Sequence, residues 1–361
     1  MPVDETKSST PLIDVRNLVK EYRSSRKREG LRGAVKDLFA PRRETKRAID
    51  DVSFRVEPGE RVGYIGANGA GKSTTIKILT GILKPTSGYV RVAGFEPLEE
   101  RRHYVHQIGV VFGQRTQLWW DIAVIEAFRL LARIYGVPDD ILKARLVEFD
   151  AVLDLTPLLH TPVRKLSLGQ RMRCDLAASL LHQPRIVFLD EPTIGLDVDV
   201  KDRVRGFIKA VNERHGTTVL LTTHDLRDIE ELCERVLLID EGKVLFDGAL
   251  SEFKRRFARE RRVVLDLARP DDRETAVRNL DGLPVTIDAD GAGSRLALRF
   301  DPEAIRPSEV VARALQGPPI MDLSVQEPDL ADVVRDVYRA QQHRTAELAK
   351  ADPFAKTEQA S

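Results

Sequence analysis

At 361 residues, with 42% hydrophobic and 31% charged side chains, the chain has room for one large α/β core plus a smaller domain and has the balance of an ordinary globular protein. Its 57 Lys+Arg nearly cancel 56 Asp+Glu, so no nucleic-acid partner is expected, and two distant cysteines, Cys174 and Cys233, without a CxxC or clustered histidines, give neither a disulfide framework nor a zinc site and fit a reduced cytosol. No apolar run approaches the roughly 18 to 20 residues that cross a bilayer, and the start MPVDETKSSTP lacks a basic region followed by an apolar one, so a membrane role is expected to come through partners.

The polar residues 1–10 are expected to be disordered, and Leu12, Val15, Leu18 and Val19 open a first strand that runs to Tyr22. From Lys20 to Arg47 eleven Lys/Arg stand against four Asp/Glu, and Leu31, Val35, Leu38 and Phe39 recur at helical spacing. Residues 23–47 thus read as a basic insertion carrying a short amphipathic helix, with acidic lipid headgroups or a membrane protein as its candidate contacts, or simply as a solvated variable segment. Ala48 to Val56 alternates as a strand, Glu57-Pro58-Gly59-Glu60 turns, and Arg61 to Ile65 is a short apolar strand.

The next eight residues carry chemistry. Gly66 to Ser73 reads GANGAGKS, which fits G-x-x-x-x-G-K-[ST] between an apolar strand and a helix predicted over Ser73 to Leu83. Glycines 66, 69 and 71 let the backbone N–H groups fold around phosphate oxygens, and the helix N-terminus adds positive potential. Gly66, Asn68, Gly69, Ala70, Gly71, Lys72, Ser73 and Thr74 are therefore the expected nucleotide contacts, with Lys72 on the β- and γ-phosphates and Ser73 on Mg²⁺. Such a cradle defines only a broad class, since kinases, GTPases and transport ATPases share it.

Between about Pro97 and Lys165 the period becomes helical, with Ile122, Ile125, Phe128, Leu131 and Ile134 predicted on one face and Ile141, Leu146, Val152 and Leu155 in a later group; this is expected to be a helical subdomain inserted at about 97–182. Strand and helix then alternate through Arg185–Asp190, Thr217–Thr222 and Arg235–Asp240, which predicts a mainly parallel sheet. RIVFLDE, Arg185 to Glu191, ends in two adjacent acids. Asp190 at the strand tip suits a Mg²⁺ ligand, and Glu191 suits a base that takes a proton from the attacking water. Beyond Leu250 the order β-α-β-β-α-β predicts a small ferredoxin-like domain over about 251–340, followed by a disordered tail over 341–361.

Lys165 to Asp197, KLSLGQRMRCDLAASLLHQPRIVFLDEPTIGLD, resembles the signature-to-D-loop region of ATP-binding cassette (ABC) ATPases. The resemblance covers roughly Leu12 to Gly248 and implies an α/β fold: an ABC-type P-loop core over 11–250, a mainly parallel sheet with an antiparallel β part and an inserted helical subdomain, followed by the small α+β domain. It implies that Ser167, Gly169 and Gln170 open a helix whose N-terminus faces the γ-phosphate held by the opposite subunit, that Gln114 is the Q-loop residue near Mg²⁺ and the attacking water, that Asp197 belongs to the D-loop, that His224 is the H-loop histidine on the γ-phosphate, and that Tyr22 stacks on adenine. Leu168 departs from the family's usual glycine, and is strained if that position needs positive φ.

The implied function is that of the ATP-hydrolysing subunit of an ABC transporter. It dimerises head to tail with itself or a related subunit, sandwiches ATP with Mg²⁺, and drives separate permease subunits from the cytoplasmic face of the membrane. The appendix, with Gln326-Glu327-Pro328-Asp329-Leu330, the basic insertion and Trp119-Trp120-Asp121 resemble features of export-type bacterial subunits. The competing readings are a soluble ABC ATPase acting on ribosomes or nucleic acid and a non-hydrolysing regulatory subunit.

Overall fold

The structure is a computed structural model that describes residues 10–25, 43–113, 115–257, 260–288, 293–326, 330–335, 337–339 and 341. The expected helix at Leu31–Phe39, most of the basic insertion, Gln114 and nearly all of the terminal stretches 1–10 and 341–361 lie outside the described residues. The chain divides into two compact units, Met1–Leu250 and Ser251–Ser361.

The first unit is organised by a six-stranded sheet of order β5-β6-β7-β3-β8-β9, made of β3 (Arg61–Gly66), β5 (Ile108–Phe112), β6 (Ile186–Asp190), β7 (Thr218–Thr222), β8 (Arg235–Asp240) and β9 (Lys243–Ala249). Strands β5, β6, β7, β3 and β8 are parallel, and β9 returns antiparallel to β8 through Glu241-Gly242, both with positive φ. Such central strands bury both faces, which is why β6 and β7 read as unbroken apolar runs: Val187 to Leu189 and Val219 to Leu221 are all buried. A second, antiparallel sheet of order β2-β1-β4 comprises β1 (Ile13–Ser25), β2 (Arg43–Val56) and β4 (Ser87–Val92). Its residues Ile13, Val15, Val52, Phe54 and Val92 share one core with Val62 and Tyr64 of β3 and with Ile76 and Leu79 of helix α1 (Lys72–Leu79).

Three helices form the region between β5 and β6: α2 (Val124–Tyr135), α3 (Asp139–Leu153) and α4 (Leu168–Leu180). Helix α2 ends on Gly136 at φ 70, and Asp139 and Asp140 sit in the first turn of α3, where the helix dipole favours them. The buried faces differ from those expected. In α2 the buried set is Val124, Ala127, Phe128, Leu131 and Ala132, while Ile134 is exposed; in α3 it is Leu142, Phe149 and Leu153, while Ile141 is exposed. In α2 small alanines complete the true i, i+3, i+4, i+7 stripe, and counting only large apolar residues rotates the predicted face. Arg173 of α4 reaches the C-terminus of α3, donating to Leu153 O at 2.6 Å and Asp154 O at 3.1 Å. Helices α5 (Val198–His215) and α6 (Leu226–Leu232) connect β6 to β7 and β7 to β8. No described helix is long and apolar enough to cross a membrane.

The second unit begins with α7 (Leu250–Phe257), which spans the boundary, and continues as β10 (Arg261–Leu267), α8 (Arg273–Asn279), β11 (Val285–Ile287), β12 (Arg295–Phe300), α9 (Pro307–Ala314) and β13 (Ile320–Gln326). The antiparallel order β11-β12-β10-β13 is the ferredoxin-like arrangement. Alternate residues Val263, Leu265 and Leu267 of β10 and Leu296, Leu298 and Phe300 of β12 share a core with Ala276 of α8 and with Val310 and Ala314 of α9.

One joint of the first unit is built on a buried histidine. His182, just after α4, donates through Nε2 to Ile108 O at 2.9 Å, and its ring stacks 4.0 Å from Tyr135 of α2 at 8°. Nδ1 is buried with no partner among the described residues. Burial, with lesser repulsion from His106 and Arg145, pulls the imidazole from 6.5 down to about 4, so the ring is neutral in the fold and Nε2 is the donor to the carbonyl. The unfolded chain therefore takes up this proton first: the stability is complete above about 6.5 and is lost as pH falls toward about 4. Between pH 7 and 4.5, His182→Gln should lose less stability than wild type, by up to about 3 kcal/mol, in urea melts. Asp175, whose carboxyl burial raises to about 6, acts in the opposite sense and is common to both proteins. Identical pH profiles for the two would contradict the assignment.

Candidate functional site

Parallel strands in the order β6-β7-β3 bring Asp190, Thr222 and Gly66 to the same end of the sheet, the end where open α/β sheets bind ligands. At the tip of β3 the chain turns through Ala67 to Gly71 into α1, with Asn68, Gly69 and Ser73 exposed, Thr74 half-buried and Ala70 and Gly71 buried. Gly71 sits at φ 110, and a Cβ there would lie 2.6 Å from Ala48 O; no side chain fits. Lys72 opens the helix and folds back, its Nζ donating to Gly66 O at 2.6 Å and Ala67 O at 3.2 Å. Burial lowers the ammonium below its usual range, partly offset by Glu191 and Asp190, so both carboxylates lie within electrostatic reach of the cradle.

At the tip of β6, Asp190 Oδ1 accepts from Thr222 Oγ1 at 2.6 Å. Glu191 follows in the left-handed region, φ 57, a conformation that costs a non-glycine residue about 1–3 kcal/mol and is kept where the surroundings enforce it. Its amide donates to Thr222 O at 2.9 Å, and its Oε2 lies 2.6 Å from His224 Nδ1 and accepts from His224 N at 3.3 Å. Glu191 is half-buried while the His224 side chain is 62% exposed, so the pair points outward from the sheet end.

Ser167 caps α4 in a reciprocal box: Gln170 N donates to Ser167 Oγ at 3.2 Å and Ser167 N to Gln170 Oε1 at 2.9 Å. Leu168 occupies the first helical position and is not among the residues with positive φ, so the strain considered for a leucine here does not arise. Ser167 and Leu168 are exposed and Gly169 and Gln170 half-buried, which leaves the helix tip open to a second molecule. A Leu168 methyl lies over Gly195, and Gly169 lies against Val200 and Leu196, so the helix tip packs on the segment that Asp197 closes by capping α5 through Val200 N at 2.9 Å. Tyr22 stands 41% exposed on β1 opposite Lys46, with Lys20 Nζ 5.3 Å from its ring centroid; it is not a core tyrosine.

Two contributors were not read from the sequence. Thr222 holds Asp190, and the signal for it was the hydroxyl pair Thr222-Thr223 before His224. Gly113 passes so close to Glu191 O that a Cβ could not be accommodated, and Gly113 N donates to Asp190 O at 2.7 Å; nothing in the local sequence distinguishes that glycine from a turn glycine.

A phosphate cradle beside an acid pair and a histidine at the ends of parallel strands defines a P-loop nucleoside triphosphatase. The family model for ABC transporters matches residues 49–194. The daunorubicin resistance ATP-binding protein DrrA3 of Streptomyces coeruleorubidus is 34% identical over 295 residues, 80% of this chain and 90% of its own. The ABC transporter ATP-binding protein NatA of Bacillus subtilis (strain 168) is 32% identical over 59% of this chain and 86% of its own. Among solved structures, the ATP-binding subunit of an ABC transporter superposes with a TM-score of 0.58 at 26% identity, covering 68% of this chain and 93% of that one. A dimeric ATP-binding cassette in a post-hydrolysis state with ADP and Pi gives 0.55 at 25%, covering 66% and 98%. The chain belongs to the ABC transporter ATP-binding proteins: it binds ATP and is an ATPase.

If the cradle requires the left-handed turn at Gly71, Gly71→Ala should weaken ATP binding about tenfold or more, since strain of 1–3 kcal/mol enters a site where 1.4 kcal/mol is tenfold. Titration with a fluorescent ATP analogue checks this, and wild-type affinity would contradict it.

Proposed function

We propose that this chain energises export through separate permease subunits, working as one half of a head-to-tail pair in which ATP lies between the cradle of one copy and the Ser167–Gln170 helix tip of the other. The observation that carries the hydrolytic half of this reading is the 2.6 Å contact between Glu191 and His224 at the strand ends beside the cradle. In it Glu191 is the general base that takes the proton of the attacking water, and His224 holds Glu191 and meets the γ-phosphate. Gly66, Asn68, Gly69, Ala70, Gly71, Lys72, Ser73 and Thr74 contact the nucleotide, Asp197 meets the opposite copy, and Tyr22 offers an exposed ring to adenine. Gln114, which lies outside the described residues, is proposed from the sequence to act near the attacking water.

The donors present fit Mg²⁺: an exposed serine hydroxyl at the head of α1 and a carboxylate at the tip of β6 are hard oxygen ligands. Ser73 and Asp190, with Gln114, are its proposed ligands, and the ion would neutralise phosphate charge.

Dimerisation is supported by the dimeric cassette to which the fold is similar. Export is supported by the Nod factor export ATP-binding protein I of Burkholderia pseudomallei (strain 1710b), 37% identical over 58% of this chain and 68% of its own, and the match to the daunorubicin resistance protein DrrA3 is longer than the first unit alone. The permease partners would place the protein at the cytoplasmic face of the membrane, with the second unit supporting or regulating the dimer. In the proposed cycle ATP gains the second set of contacts only when the pair closes, so its binding energy differs between two states, as a conformational drive requires. Glu191→Gln should retain ATP while hydrolysis falls by about 10²-fold or more. Phosphate release and ATP binding measured on the same preparation check this, and undiminished turnover would remove Glu191 from the role of base.

A further inference from the structure

Behind the Glu191–His224 pair lies a buried polar node that none of these roles uses. Asp228, in the first turn of α6, is 0% exposed. Its Oδ2 accepts hydroxyl hydrogen bonds from Thr193 and, at 3.1 Å, from Thr223, and its Oδ1 accepts from Arg205 Nε at 2.8 Å. Both threonines and Arg205 are themselves buried. Thr193 stands two residues after Glu191, Thr223 one residue before His224, and Arg205 on α5, the helix capped by Asp197. A carboxylate taken out of water must be met by charge and hydrogen bonds, and every donor meeting this one comes from a segment that carries a proposed site residue.

The surroundings fix the node further. Arg205 Nη1 also reaches Asp202 Oδ1 at 2.9 Å and Glu231 Oε1 at 3.3 Å, and Lys201 Nζ holds Asp225 Oδ2 at 2.6 Å. The outer side offers little constraint, because the His224 side chain is mostly exposed and Glu191 is in a left-handed conformation that must be enforced. Beside the Glu191 N to Thr222 O bond, the two turns that carry the pair are thus joined from behind as well.

We propose that Asp228 is a positioning residue for ATP hydrolysis. One carboxylate oxygen, shared by the Thr193 and Thr223 hydroxyls, clamps the Glu191 turn to the His224 turn, and the bond to Arg205 ties both turns to α5. Asp228 touches no reacting atom and acts through the pair, so the proposal rests on the roles given to Glu191 and His224.

The test uses the full chain with Asp228→Asn, the double variant Thr193→Val/Thr223→Val, and Thr193→Ser/Thr223→Ser, which keeps both hydroxyls. The first two should lower kcat about tenfold or more with ATP affinity within about twofold of wild type, and the serine pair should restore kcat. Combined with His224→Ala in single-turnover assays, Asp228→Asn should add no further loss, since both act through one unit. A crystal structure of Asp228→Asn should show the Glu191 Oε2 to His224 Nδ1 separation opened beyond about 3.5 Å. Unchanged kcat, parallel loss of kcat and ATP affinity, a loss that multiplies with that of His224→Ala, or an unmoved pair would each overturn the proposal. Should Asp228→Asn not fold, the threonine double variant carries both the kinetic and the crystallographic arms. A Glu191→Gln control that still hydrolyses ATP would fail the reading of Glu191 instead, and the crystallographic distance would still decide the clamp.

Discussion

Parallel pairing of β6 with β7, and of β7 with β3, is the constraint on which the site depends. Because the register sets Asp190 against Thr222 while β3 delivers Gly66 to the same end of the sheet, two acids, a histidine and a phosphate cradle meet although they lie far apart in sequence. The buried apolar residues of these strands hold that register, since each is packed on both faces. Fine positioning falls to short polar contacts at the strand ends: Thr222 to Asp190, Glu191 N to Thr222 O, and Glu191 to His224.

The helix tip at Ser167 follows different physics from the sheet. Its shape comes from the capping box with Gln170, which uses two of the free backbone donors and fixes residue 168 as the first helical position. That position accepts most side chains, so a leucine stands there without a backbone penalty, and its methyl group rests against Gly195. The tip thereby becomes continuous with the Gly195–Asp197 segment and the start of α5. A force on one of these elements has a packed route to the others.

Much of this was legible in the sequence where the constraint is local. GANGAGKS announces its turn because glycine is required by backbone geometry, and the LDE that ends β6 stands out because charge seldom follows a buried apolar run. The ferredoxin-like order of the second unit was legible for a similar reason, β10 and β12 each placing alternate apolar residues in one core. Strand β4 was not read, because three of its first residues, Ser87, Gly88 and Tyr89, are exposed and give no alternation. The buried face of α2 was misplaced because alanines such as Ala127 and Ala132 weigh little in a hydrophobic pattern yet are fully buried. Asp228 and Gly113 were invisible for another reason: their roles exist only between segments brought together by the fold.

The central claim is that ATP draws together two surfaces that one chain exposes separately, its cradle loop and its α4 tip. It is tested most directly by cross-linking Asn68→Cys to Ser167→Cys between chains in a hydrolysis-deficient background; the native Cys174 and Cys233 are buried. The account predicts an intermolecular cross-link that forms with ATP and is lost without nucleotide. No cross-link, or one indifferent to ATP, would contradict it.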